Sequence, residues 1–231
     1  MKKTTIISGL LLSTLLNAQS FSPDPNAGTV DIDTGFIFGG ETVLVSDPSD
    51  VATVSPGSVA CSADGLHADN SYWRSFDLVG LGEINITSID IGVENATSGT
   101  GGTQPIIIRV HRIANGDDLP GAALTLVTES VTTVADLLGG VANFPISANL
   151  DAATDDLVIE INTPDGQDAG HAFFIGSNDS VQNRDLYLSA ADCGIDSPTS
   201  VADIGFPDMH GIIVVNGFGN VPVELMNFSI D

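Results

Sequence analysis

Positive charge is what this chain has least of: six Lys+Arg stand against thirty Asp+Glu, a formal net charge of −24. Binding to nucleic acid or to an anionic membrane needs Lys and Arg to neutralise phosphate, so both partner classes are excluded. Cysteine is nearly absent, with Cys61 and Cys193 the whole complement. Aromatics make up 6% of residues, with one Trp and two Tyr. After Leu16 no apolar run is long enough to span a bilayer, so a transmembrane segment is excluded. Helical periodicity is scarce too: only Thr133–Leu138 reads as helix, and for about one turn. Gly-x-Ser-x-Gly, His-Glu-x-x-His, Walker A and Gly-x-Gly-x-x-Gly are all missing. The chain is therefore read as non-catalytic.

What is present begins with a secretory signal. Lys2-Lys3 is a positive n-region, Ile6–Leu16 a short apolar h-region, and small residues near Ala18 suit cleavage. Residues 1–20 are thus expected to be removed. Both lysines go with them, which takes the net charge from −24 to −26. The rest is expected outside the cell, secreted or at the cell surface. In that oxidising compartment Cys61 and Cys193 are expected to pair, closing a loop of 193 minus 61, or 132 residues.

Residues 21–60 are rich in Pro, Asp, Ser and Gly and read as an extended arm with one or two edge strands, among them Glu41–Val45. Residues 61–220 read as one all-β domain. Period-two alternation recurs in about eight segments separated by turn residues such as Asn115-Gly116-Asp117 and Pro164-Asp165-Gly166. That pattern predicts an antiparallel β-sandwich. Residues 221–231 read as a tail or a last edge strand. In Ile84–Glu94 the alternation slips between Ile86 and Ile89, which predicts a bulge or a bend. Pro145 places Val141–Ile146 at a sheet edge.

The chain is organised around Asn70-Ser71-Tyr72-Trp73-Arg74-Ser75-Phe76-Asp77-Leu78. At period two, Tyr72, Arg74, Phe76 and Leu78 share one face, and Phe76 and Leu78 look like core. Trp73, Ser75 and Asp77 share the other. Tyr72, Trp73 and Tyr187 are the candidate binding-face aromatics; the competing reading of Trp73 is a ring half covered by a loop. Arg109 and His111 take outward positions, as does Glu160. Asp outnumbers Glu, 24 to 6. Its short arm suits turns and oxygen cages for a hard cation. Asp64, Asp69, Asp192 and Asp196 flank the two cysteines, which makes them the candidate ligands of a structural Ca²⁺. In Phe206-Pro207-Asp208-Met209-His210, Asp208 and His210 are read as turn and strand-start residues rather than an acid–base pair.

The stretches Asn70–Leu78, Thr163-Pro164-Asp165-Gly166-Gln167, Phe173-Phe174-Ile175-Gly176-Ser177-Asn178, Ala190-Ala191-Asp192-Cys193-Gly194-Ile195 and Gly205-Phe206-Pro207-Asp208-Met209-His210 resemble, in this order, a jelly-roll-like accessory domain of secreted bacterial proteins. The resemblance implies a jelly-roll-like sandwich and a non-catalytic companion of proteases or adhesin-like chains. Val221-Pro222-Val223-Glu224-Leu225 resembles the opening of C-terminal sorting modules in Bacteroidetes-type secreted proteins. The functional expectation is a secreted binding or structural module whose partner is an extracellular glycan, a surface polymer or a secreted protein. The alternative is a small secreted hydrolase of glycosidase type that uses two carboxylates, with Glu160 and Glu224 the glutamates on strand-like segments.

Overall fold

The computed structural model of the chain describes residues 20–23, 30–31, 41–99 and 102–219. Residues 1–19 of the segment read as a signal, and the stretch after Gly219 read as a tail, lie outside the described residues. Two antiparallel sheets face each other. Their strands, in chain order, are β1 (Thr42–Asp47), β2 (Asn70–Phe76), β3 (Glu83–Thr97), β4 (Thr103–Ala114), β5 (Thr125–Ala135), β6 (Leu137–Asp151), β7 (Asp155–Thr163), β8 (Ala172–Ile175), β9 (Leu186–Ala190), β10 (Ile195–Ser200) and β11 (Ile213–Gly219). One sheet runs β5-β4-β7-β2-β9-β10. The other runs β6-β3-β11-β1, with β8 also paired to β3. The fold is an all-β antiparallel sandwich, as the alternation predicts.

The period-two pattern sorts side chains between core and surface. Tyr72 and Phe76 on β2, Ile106, Ile108 and Val110 on β4, and Ile159 on β7 point inward and are buried. Ile86, Ile89 and Ile91 on β3 and Ile213 on β11 meet them from the other sheet. Each large aliphatic side chain removed from water in this way contributes about 1.5–3 kcal/mol. The slip between Ile86 and Ile89 is real: the register of β3 shifts there against both β6 and β11, so both isoleucines stay inside. β6 is an edge strand, with Pro145 in it.

Two expectations need correction. The two sheets hold eleven strands rather than about eight, because Ile195–Ser200 is mostly polar and carries no alternation, and Thr42–Asp47 lies before the expected start of the domain. Thr133–Leu138 is no helical turn; β5 ends at Ala135 and β6 starts at Leu137, so the chain turns a corner from one sheet to the other at Asp136. Thr42–Asp47, in the stretch read as an arm with edge strands such as Glu41–Val45, is an edge strand of the second sheet, in line with that reading.

That edge strand carries a charge into the core. Asp47 is 1% exposed, and its carboxylate meets the Arg74 guanidinium at 2.8 Å. Arg74 points inward with Tyr72 and Phe76 and is fully buried. It also donates to the carbonyl oxygens of Arg184 and Gly211 and to Gln182 Oε1. Asp47 accepts from the backbone N–H groups of Asn183 and Arg184. The pair ties β1 of one sheet to β2 of the other.

Candidate functional site

Cys61 and Cys193 are bonded, with their Cα atoms 5.9 Å apart. The bridge joins the strand Val59–Ala63 to the short 3₁₀ turn Ala191–Cys193. The four carboxylates around it do not form a cage. Asp64, Asp69, Asp192 and Asp196 are all exposed, and Asp69 Oδ1 is engaged by Asn162 Nδ2 at 2.6 Å. Among the described residues no group of three or more His, Cys, Asp or Glu converges as a metal site. The reason is local. Asp64 sits at a turn tip with φ +53°, and Asp192 lies in the 3₁₀ turn, so these short arms point to water.

The aromatic platform is not assembled either. Tyr72 is fully buried, and its hydroxyl donates to Val59 O. Its parity with Phe76 and Leu78 puts it in the core. Tyr187 does lie on the outer face, but the loop before β5 folds over it. Its hydroxyl donates to Leu119 O at 2.6 Å, and Leu119 packs with Ile113, Val158 and Tyr187 in a small second core. Burial pushes the Tyr187 phenol up to about 12. Only Trp73 keeps partial exposure. It packs against this second core, and its Nε1 donates to Ser189 Oγ at 3.0 Å.

Trp73 stands in a more informative row. Register places Glu129, Arg109, Glu160, Trp73 and Tyr187 directly opposite one another across β5, β4, β7, β2 and β9. Directly opposed residues share a face and touch. Arg109 therefore lies between two carboxylates, with Nε 2.5 Å from Glu129 and Nη1 2.7 Å from Glu160. Glu160 is 4% exposed and accepts two further hydrogen bonds, from Ser71 Oγ at 2.9 Å and from His111 Nε2 at 3.1 Å. Burial opposes its charge. The bonds from His111 and Ser71 and the charge of Arg109 outweigh that and hold the carboxyl below its ordinary value. The His111 ring lies 5.6 Å from the Trp73 ring, and its Nδ1 is buried without a partner.

A carboxylate held ionised by three donors is a poor proton donor at neutral pH. The Ser71 hydroxyl donates to Glu160 and makes no bond to His111. Asp208 and His210 form no pair: the His210 ring nitrogens face the carbonyl oxygens of Ser180 and Pro207. What the row offers is a rigid surface in which one guanidinium is held between two carboxylates. No family model, curated protein or solved structure matches the chain. The face must therefore be read from its own chemistry.

On the open side of the row the surface turns apolar. Val131 on β5 is 70% exposed and is opposed by Ile107 on β4, so both lie on this face beside Arg109. Leu124, at the mouth of the capping loop, is also exposed. Alternation alone set Arg109, His111 and Glu160 outward. Their convergence with Glu129 depends on strand order and register, which local sequence does not encode.

Proposed function

We propose that the protein is a secreted, non-catalytic β-sandwich module that docks another extracellular protein on the outer face of its six-stranded sheet. The observation that carries this reading is the row Glu129–Arg109–Glu160–Trp73, locked by its own hydrogen bonds and bordered by exposed Val131. Arg and Trp among aliphatic neighbours, with side chains already immobilised, is the composition of an interface centre that loses little entropy on binding. The burial of Tyr72 and Tyr187 leaves no flat aromatic shelf for a sugar chain on this face, which favours a protein there. The Cys61–Cys193 bond and the absence, among the described residues, of a helix able to cross a membrane fit the secreted location. The resemblance to accessory domains points the same way. Against the hydrolase alternative, Asp50, Asp118 and Glu160 are all displaced downward, whereas a general acid needs displacement upward.

Immobilised wild-type protein is expected to capture a discrete partner from the extracellular medium of the producing cells. Val131→Asp, which places a charge on this face without touching the core, is expected to reduce that capture roughly tenfold. Equal capture by the variant would refute the reading.

A further inference from the structure

At the end of the sandwich away from the Asp136 corner, where β5 starts and β6 and β11 end, a cleft of about 730 Å³ opens. Its volume lies in the range of small-ligand sites. It is separate from the docking face: its walls come from the start of β5, the ends of β6 and β11, and the start of β3. Three features give it a chemical character.

The first is Phe218, 48% exposed on β11, the one aromatic ring among the exposed large hydrophobic side chains of the described residues. The second is an amide pair beside it. Register sets Asn149, Asn85 and Phe218 in one row across β6, β3 and β11, and Asn85 Nδ2 donates to Asn149 Oδ1 at 2.6 Å. That bond leaves the Asn149 amide as a free donor and the Asn85 carbonyl as a free acceptor, side by side. The third is charge. Glu83, Asp151 and Asp155 line the cleft against a single cation, Arg112, which already faces Asp155 at 3.5 Å. Anions are repelled here.

We infer that the cleft is a carbohydrate site for neutral or amino-bearing sugars. The apolar C–H face of one ring lies on Phe218, and neighbouring hydroxyls, each both donor and acceptor, bridge the Asn149 amide and the Asn85 carbonyl. A purely apolar ligand leaves the amide pair unmatched, and an acidic sugar meets three carboxylates. The ring–Phe contact supplies area, and the amide pair supplies orientation.

The test is calorimetric titration of the full secreted chain with cellohexaose, mannohexaose, the fully deacetylated glucosamine hexamer and hexagalacturonate. At least one of the first three is expected to bind at roughly millimolar concentration or below, and hexagalacturonate is expected not to bind. Phe218→Ala and Asn149→Ala change exposed side chains. Each is expected to weaken binding roughly tenfold with an unchanged melting temperature, while Val131→Asp binds sugar like the wild type. Failure of every neutral and amino hexasaccharide overturns the inference. So does binding of hexagalacturonate, or full binding by Phe218→Ala. Because Val131→Asp reports on the docking face alone, each of the two readings can fail without the other.

Discussion

At the scale of single residues, two buried groups set how the molecule responds to mutation and to pH. Arg74 and Asp47 are out of water and depend on each other. Removing one partner strands a charge in the core, which costs about 3–5 kcal/mol. Arg74→Met is expected to lose that much in urea unfolding, and Asp47→Asn combined with Arg74→Met is expected to regain part of it. A loss near zero for Arg74→Met would mean that the pair does not hold the sheets together. His67 is the second group. Burial pushes its pKa down to about 4, against the pull of the carbonyl oxygens of Pro164 and His171. The unfolded chain takes up this proton near pH 6.5 and the folded chain only near 4. The stability that His67 confers is therefore complete above about 6.5 and falls as pH drops toward 4, by up to about 3 kcal/mol. Urea midpoints of wild type and His67→Gln at pH 7 and pH 4.5 are expected to diverge, the wild type showing the steeper loss. Parallel behaviour would contradict this assignment.

Among the elements, the bulge in β3 is the most constrained. Where β11 steps past it, an added Cβ on Gly217 would sit 2.0 Å from Asn85 O, a backbone atom that has nowhere to go. Gly217→Ala is expected to cost about 1–3 kcal/mol or more. Gly121→Ala, with nothing within 4 Å of the new atom, is expected to be neutral in the same thermal melts. This bulge was legible in the sequence, because two alternating runs with a phase slip between Ile86 and Ile89 leave few other solutions. The edge position of β6 was legible too, because Pro145 has no N–H to give a neighbour. Arg74 was already placed on the inward face with Phe76. Its partner was not legible: Asp47 lies 27 residues earlier, just beyond the Glu41–Val45 run read as an edge strand of an arm, and only sheet order brings them together. The Glu129–Arg109–Glu160–Trp73 row was hidden for the same reason. Each member alternates outward on its own strand, yet the four meet only through the registers of four strands. The corner at Asp136 was misread as helix because a few residues of turn break the period of two in the same way as one helical turn.

For the whole molecule, the dominant quantity is charge. At −24 the chain repels other acidic surfaces, copies of itself included. On the face proposed for docking, Arg109 offsets one of the two carboxylates beside it, and the exposed aliphatic Val131 adds no charge. An acidic body with one preorganised face, its charges paired with one another, suits a protein that stays dispersed and meets one partner in one orientation. Site-specific photo-crosslinking tests this most directly. A photoreactive residue is placed at Val131 on the docking face, or at Val43 on β1 of the other sheet; both positions are well exposed, at 70% and 54%. Each protein is then irradiated in the extracellular medium of the producing cells. The account predicts one defined protein adduct from Val131, absent from Val43 and lost when Arg109→Ala is added. The same adducts from both positions, or none from Val131, would contradict it.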